Sequence, residues 1–127
     1  MSRVILDASA LIALLNEEKG SELVESHLPQ VVMSTVNMAE VSSYMIMRGF
    51  DADEIQQLFL DLAIPTIDYT EQHAYLTAAL LPKTKAKGLS LGDRAYLSLA
   101  ITEKLPVLTA DKIWTTLDLE ITITLIH

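Results

Sequence analysis

Short runs of large apolar side chains recur along the chain. Between them, apolar residues fall every three or four positions. Val4-Ile5-Leu6 is the first run. Three consecutive apolar residues predict a strand covered on both faces, as in a parallel sheet. It runs into Asp7, and 8–15 (ASALIALL) has the Ala and Leu content of a helix, ended by 16–20 (NEEKG). A second helix is predicted from 21 to about 27, stopped by Pro29, and Val31-Val32-Met33 is a second strand. Residues 34–40 (STVNMAE) open a helix reaching about Arg48, with Gly49 as its stop.

Asp51-Ala52-Asp53-Glu54 is an acidic helix start, and Ile55, Leu58, Phe59 and Leu62 follow at helical spacing. Residues 64–68 (IPTID) predict a third strand, with Pro65 near its beginning, where a missing N–H is tolerable. Thr70 and Glu71 start a helix to about Leu81; 82–90 (PKTKAKGLS) is predicted irregular. From Leu91 to about Lys104 a helix buries Ala95, Tyr96 and Leu99. Pro106-Val107-Leu108 is a fourth strand, 111–117 a short helix and 121–126 a last strand. The alternation predicts an α/β fold: a mainly parallel sheet of about five strands, helices on both faces, one domain over 1–127.

Composition narrows the function classes. No run of about 18 apolar residues marks a membrane span, and the start has no secretory pattern. Cysteine is absent, so disulfides and thiolate metal sites are excluded, which fits a cytoplasmic protein. The net charge of −8 argues against a broad basic surface for nucleic acid. Carboxylates clustered to hold metal ions count toward that total, however. The positive charge is uneven: Lys83, Lys85 and Lys87 are followed closely by Arg94.

Four acids stand where a strand or loop gives way to a helix: Asp7, Glu40, Asp93 and Asp111. Singly, each fits a capping role. Glu40 follows Asn37 by three, and Asp93 follows Ser90 by three, as in capping boxes. Asp7 and Asp111 have the type and place of N-caps. Together they imply more, because strand ends and the following helix starts share one edge of a parallel sheet. Converging carboxylates repel unless protonated or bridged by cations. Hard oxygen ligands suit Mg²⁺ or Mn²⁺, which activate water and offset phosphate charge.

The matching segments are VILDASALIALL, Asn37-Met38-Ala39-Glu40, KGLSLGDRAYLSLA at 87–100 and VLTADKIW at 107–114. On these the chain resembles a PIN-domain ribonuclease, in particular the VapC-type toxins of bacterial toxin–antitoxin pairs. The segments SLGDRAYLSLA and LTADKIW carry most of the specificity; LDAS alone carries little. The resemblance implies a PIN-like three-layer sandwich and Mg²⁺- or Mn²⁺-dependent endonucleolytic cleavage of RNA. It assigns the acidic tetrad to Asp7, Glu40, Asp93 and Asp111, and the accessory hydroxyls to Ser9 and Thr109. It also implies a cognate antitoxin and a homodimer. Lys83, Lys85, Lys87 and Arg94 are the candidates for holding RNA, beside the alternative of solvated surface charge.

Two other functions stay open. One is a phosphoryl-handling α/β enzyme with Asp7 as phosphate acceptor, although the phosphatase form carries a second acid where this chain has Ser9. The other is a non-catalytic binding module on the same fold. A triad of Ser9, His73 and an acid lacks a G-x-S-x-G elbow. Trp114 reads as packing and Asp118 as a solvated turn. His27 and His127 read as surface residues, and Met33, Met38, Met45 and Met47 mainly as core filler.

Overall fold

A computed structural model describes residues 3–112, 119 and 121–127. Five parallel strands form one sheet in the order β3-β2-β1-β4-β5. They are β1 (Val4–Leu6), β2 (Val31–Ser34), β3 (Thr66–Ile67), β4 (Val107–Thr109) and β5 (Ile123–Leu125). The helices among the described residues are α1 (Ala8–Leu15), α2 (Ser21–His27), α3 (Thr35–Met47), α4 (Ala52–Leu62), α5 (Glu71–Ala79), α6 (Leu81–Thr84) and α7 (Leu91–Glu103).

The strand alternation builds three layers. Successive side chains of a strand point to opposite faces. Val4 and Leu6 of β1 join Val31, Met33 and Leu108 in one core, packed against Leu11, Val41, Met45, Ile55 and Phe59 of α1, α3 and α4. Ile5, Val32 and Val107 face the other way, onto Tyr96, Leu97, Leu99 and Ala100 of α7. Every residue of β1, β2 and β4 is buried, as the unbroken apolar runs predict. Gly20 illustrates how tightly the first layer closes. Its φ is +93°, and a Cβ there would lie 2.7 Å from Ile126 Cγ1.

Several boundaries differ from expectation. The third strand shortens to Thr66–Ile67, paired to Met33 and Ser34 at the sheet edge. The fifth shortens to Ile123–Leu125. The stretch expected to be irregular holds α6 and a 3-10 turn, Lys85–Lys87. Pro82 falls in the first turn of α6, where its missing N–H costs nothing. Fully buried Thr84 fastens this segment, its hydroxyl donating to the Leu80 carbonyl at 2.9 Å. The short helix expected over 111–117 lies mostly outside the described residues, as do Trp114 and Asp118.

The chain leaves β1 for β2 and β3 on one side, then crosses back to place β4 on the other. In open parallel sheets the crevice at such a reversal, beyond the strand carboxyl ends, is where ligands sit. Here it lies between the ends of β1 and β4. The amino-terminal halves of α3 and α7 converge on the same edge: the two helices touch, and Glu40 of α3 abuts Gly92 of α7.

Candidate active site

Asp7 is where the site begins. It is 5% exposed, at the end of β1, and it is the N-cap of α1. Its Oδ1 accepts from the Ala10 amide (2.9 Å) and the Ser9 hydroxyl (2.8 Å). Its Oδ2 accepts from the Thr109 hydroxyl across the β1–β4 crevice (2.5 Å). Burial pushes the Asp7 carboxyl up to about 6, and the Asp93 charge adds to it; the hydrogen bonds from Thr109, Ala10 and Ser9 pull the other way. The capping role is real, but it does not account for an acid placed in a site that resists its charge.

Thr109 is fully buried at the end of β4 and links two acids. Its Oγ1 donates to Asp7 and accepts from the Asp111 amide at 3.0 Å. Ser9 Oγ lies 3.3 Å from Thr109 Oγ1 and accepts from the Ala110 amide at 3.1 Å. Both hydroxyls assigned an accessory role are therefore committed to aligning Asp7 and the Thr109–Asp111 turn. Asp111 itself is exposed at the edge.

Asp93 is half-buried in the first turn of α7 and forms a capping box with Ser90. Its Oδ2 accepts from the Ser90 amide at 3.0 Å. Asp93 raises Asp7, and burial pushes the Tyr96 phenol well up with both charges contributing. Asp7, Asp93 and Tyr96 thus share one electrostatic neighbourhood.

Glu40 corrects the capping expectation. The N-cap of α3 is Ser34, whose hydroxyl accepts from the Val36 amide, so the cap lies three residues before Asn37. Asn37 instead donates from Nδ2 to Glu40 Oε1 at 2.6 Å. Asn37 is 2% exposed, and its Oδ1 is buried with no partner among the described residues. An unmet buried acceptor costs about 1–3 kcal/mol. On the far side, the Glu40 carboxylate rests over Gly92. Residue spacing alone pointed to neither partnership. The signals were an N-x-x-E pair inside a helix and an isolated glycine in one, each with a commoner meaning.

The basic candidates separate. Lys83, Lys85 and Lys87 are exposed, on α6 and the turn leading to Ser90 and Asp93. Arg94 does not join them: it is half-buried, and its Nη1 donates to the Thr77 carbonyl of α5 at 3.1 Å. Its first role is to brace α7 against α5. His73 is 4% exposed and closes the α5 capping box with Thr70, while the hydrogen-bond partners of Ser9 are Asp7, Thr109 and Ala110. No Ser9–His73 pair is made. A cavity of about 1000 Å³ opens at the opposite sheet edge, lined by Leu76, Leu80, Ile101 and Leu105 with Lys83 and Lys104. Among the described residues its lining holds no carboxylate or histidine.

The donor set suits a hard divalent cation. It consists of carboxylate oxygens, and the chain has no thiolate. After its three hydrogen bonds Asp7 retains one lone pair, on Oδ2. Asp93 Oδ1 and Glu40 Oε2 accept no hydrogen bond among the described residues. Among those residues no three Asp, Glu or His side chains enclose a cation by themselves.

The PIN domain family profile matches residues 4–119. No curated protein matches the sequence. The chain is similar to a toxin–antitoxin complex from Klebsiella pneumoniae, at 20% identity over 98% of each chain and a TM-score of 0.76. It is similar to Mycobacterium tuberculosis VapC20, a sarcin-ricin loop cleaving toxin, at 15% identity over 94% of this chain and 98% of that one, TM-score 0.73. It is also similar to FitAcB from Neisseria gonorrhoeae, at 17% identity over 97% of each, TM-score 0.70. At these identities the likeness is one of fold.

Proposed function

Because the chain belongs to the PIN-domain family, we propose that it is a VapC-like toxin: an endoribonuclease dependent on Mg²⁺ or Mn²⁺ and restrained by a cognate antitoxin. The observation that carries this is Asp7 at the β1–β4 crevice, a buried carboxyl held by Thr109 and Ser9 and raised by burial and by the charge of Asp93. The solved structures it resembles include a toxin–antitoxin complex and a sarcin-ricin loop cleaving toxin, which supports the partner and the substrate class.

Asp7, Asp93 and Glu40, with Asp111 at the rim, would hold the cation. Bound there, it supplies Lewis-acid chemistry that activates water and offsets phosphate charge. The protein's own part is to keep Asp7 ionised and still through Thr109, Ser9 and the Ala10 amide, and to keep the carboxylates on one edge. No side-chain nucleophile is required. The proposal includes a homodimer and a cytoplasmic site of action; among the described residues no helix is long and apolar enough to cross a membrane. Chelation and metal restoration of RNA cleavage test the reading.

An acidic protein must hold RNA by local charge, since its net charge of −8 repels the backbone at long range. Lys83, Lys85 and Lys87 are the proposed contacts. Replacing all three by alanine is expected to weaken RNA binding roughly tenfold across sequences. The salt dependence of log K should become shallower by up to about 2, since each single-strand phosphate contact contributes roughly 0.7. Filter binding on an Asp7→Asn background measures this. Unchanged affinity and slope at low salt would place RNA elsewhere.

A further inference from the structure

We infer that Asn37 and Gly92 are positioning residues that fix the Glu40 carboxylate beside Asp93 for cation binding, an inference that rests on the metal-dependent reading above. Glu40 is exposed, in the second turn of α3, on a long side chain with several rotamers. Helix geometry alone would not hold it at the crevice. Asn37 holds it from α3, through the 2.6 Å bond from Nδ2 to Oε1. Gly92 makes room for it on α7: a Cβ there would lie 2.6 Å from the Glu40 carboxyl carbon and 2.8 Å from Oε1. Oε2 comes nearer still.

Each residue contradicts its own local preference. Asn37 is buried with Oδ1 unpartnered among the described residues, where an apolar side chain would fill the space at less cost. Its amide forms one side-chain hydrogen bond among those residues, and that bond goes to Glu40. Gly92 lies inside α7 without a positive φ, so the backbone does not require glycine. Alanine is the better helix former at such a position. Both departures are explained by the same carboxylate. Local rules broken together at one place mark a functional site more often than a structural one. The next residue after Gly92 is Asp93, so a carboxylate seated at Gly92 stands beside the acid that interacts with Asp7.

The test is Mn²⁺ binding to purified protein by titration calorimetry, with thermal melts of the same samples in EDTA. Gly92→Ala displaces the flexible end of Glu40 and adds helix propensity. It is expected to melt at or above the parent temperature without metal, yet bind Mn²⁺ at least tenfold more weakly. Glu40→Asp in the Gly92→Ala background withdraws the carboxylate by one methylene and should recover part of that affinity. Asn37→Ala should also weaken Mn²⁺ binding, and it carries the test if Gly92→Ala is poorly folded. Affinities of Gly92→Ala and Asn37→Ala within twofold of the parent would overturn the positioning role. The metal reading would then survive, provided that Asp7→Asn still abolishes binding. A parent protein that binds no Mn²⁺ would overturn both.

Discussion

Asp7→Asn is expected to remove RNA cleavage and, in EDTA at pH 7.5, to raise the melting temperature by several degrees. The activity loss should exceed the roughly 100-fold that outer-shell substitutions around a metal commonly cost. The stability gain follows from linkage. Burial lifts the Asp7 carboxyl from 3.8 to about 6, so the folded chain binds this proton more tightly than the unfolded chain does. The resulting stabilisation is complete below about pH 4 and is lost as pH rises through 6. At about 1.4 kcal/mol per unit, the loss is on the order of 3 kcal/mol. Asparagine has nothing to ionise, and the Thr109 hydroxyl can turn to accept from its amide. The parent and variant should therefore melt alike near pH 4 and separate as pH increases, the variant being the more stable. Parallel melting curves at pH 4.5 and 7.5 would contradict the buried, charge-resisting environment assigned to Asp7.

Thr109→Val should have the second largest effect. The two side chains have nearly the same shape, so the fully buried site stays filled. What goes is the hydroxyl that donates to Asp7 Oδ2 and accepts from the Asp111 amide. That bond favours ionised Asp7, so its removal moves the carboxyl still higher. Metal and proton compete for the same oxygens. Mn²⁺ affinity of the parent should fall as pH drops through about 6, the value to which Asp7 is raised. In the variant the fall should begin at higher pH, with affinity at pH 7 lowered by roughly 10- to 100-fold. Calorimetric titrations across pH 5.5 to 8 measure both. A uniformly weaker affinity with an unmoved pH dependence would mean that Thr109 does not act through Asp7.

How far the sequence foretold these features depends on the range of the interaction. Val4-Ile5-Leu6 is legible because a strand covered on both faces leaves an unbroken apolar run, and the core is split between its faces as period two requires. The 91–103 helix is legible from its capping pair and its stripe, both local. β3 is less so: Ile64 and Pro65 share its apolar character, but only Thr66–Ile67 reach a partner strand. The lysine segment reads as irregular because Pro82 and Gly88, the two helix-breaking residue types, both fall within it. Proline is harmless in a first turn, and Thr84 supplies the anchorage. Asn37 and Glu40 have a spacing shared by a capping box and by a side-chain pair within a helix. Only the position of Ser34 as N-cap decides between them. Arg94 is tied to the Thr77 carbonyl of α5, a contact between segments 17 residues apart that spacing does not reveal. The seat of Glu40 on Gly92 joins α3 to α7 and is likewise invisible in spacing.

The central claim is that carboxylates at the β1–β4 crevice make RNA cleavage depend on a divalent cation. The most direct measurement is the cleavage of a panel of structured and single-stranded RNAs by purified protein, in EDTA and then with Mn²⁺ or Mg²⁺ restored, with Asp7→Asn purified identically beside it. The prediction is no new RNA ends in EDTA, internal cleavage on adding the cation, and none from Asp7→Asn under either condition. Full cleavage in EDTA by the parent protein, absent from the Asp7→Asn preparation and so not a contaminant, would contradict it.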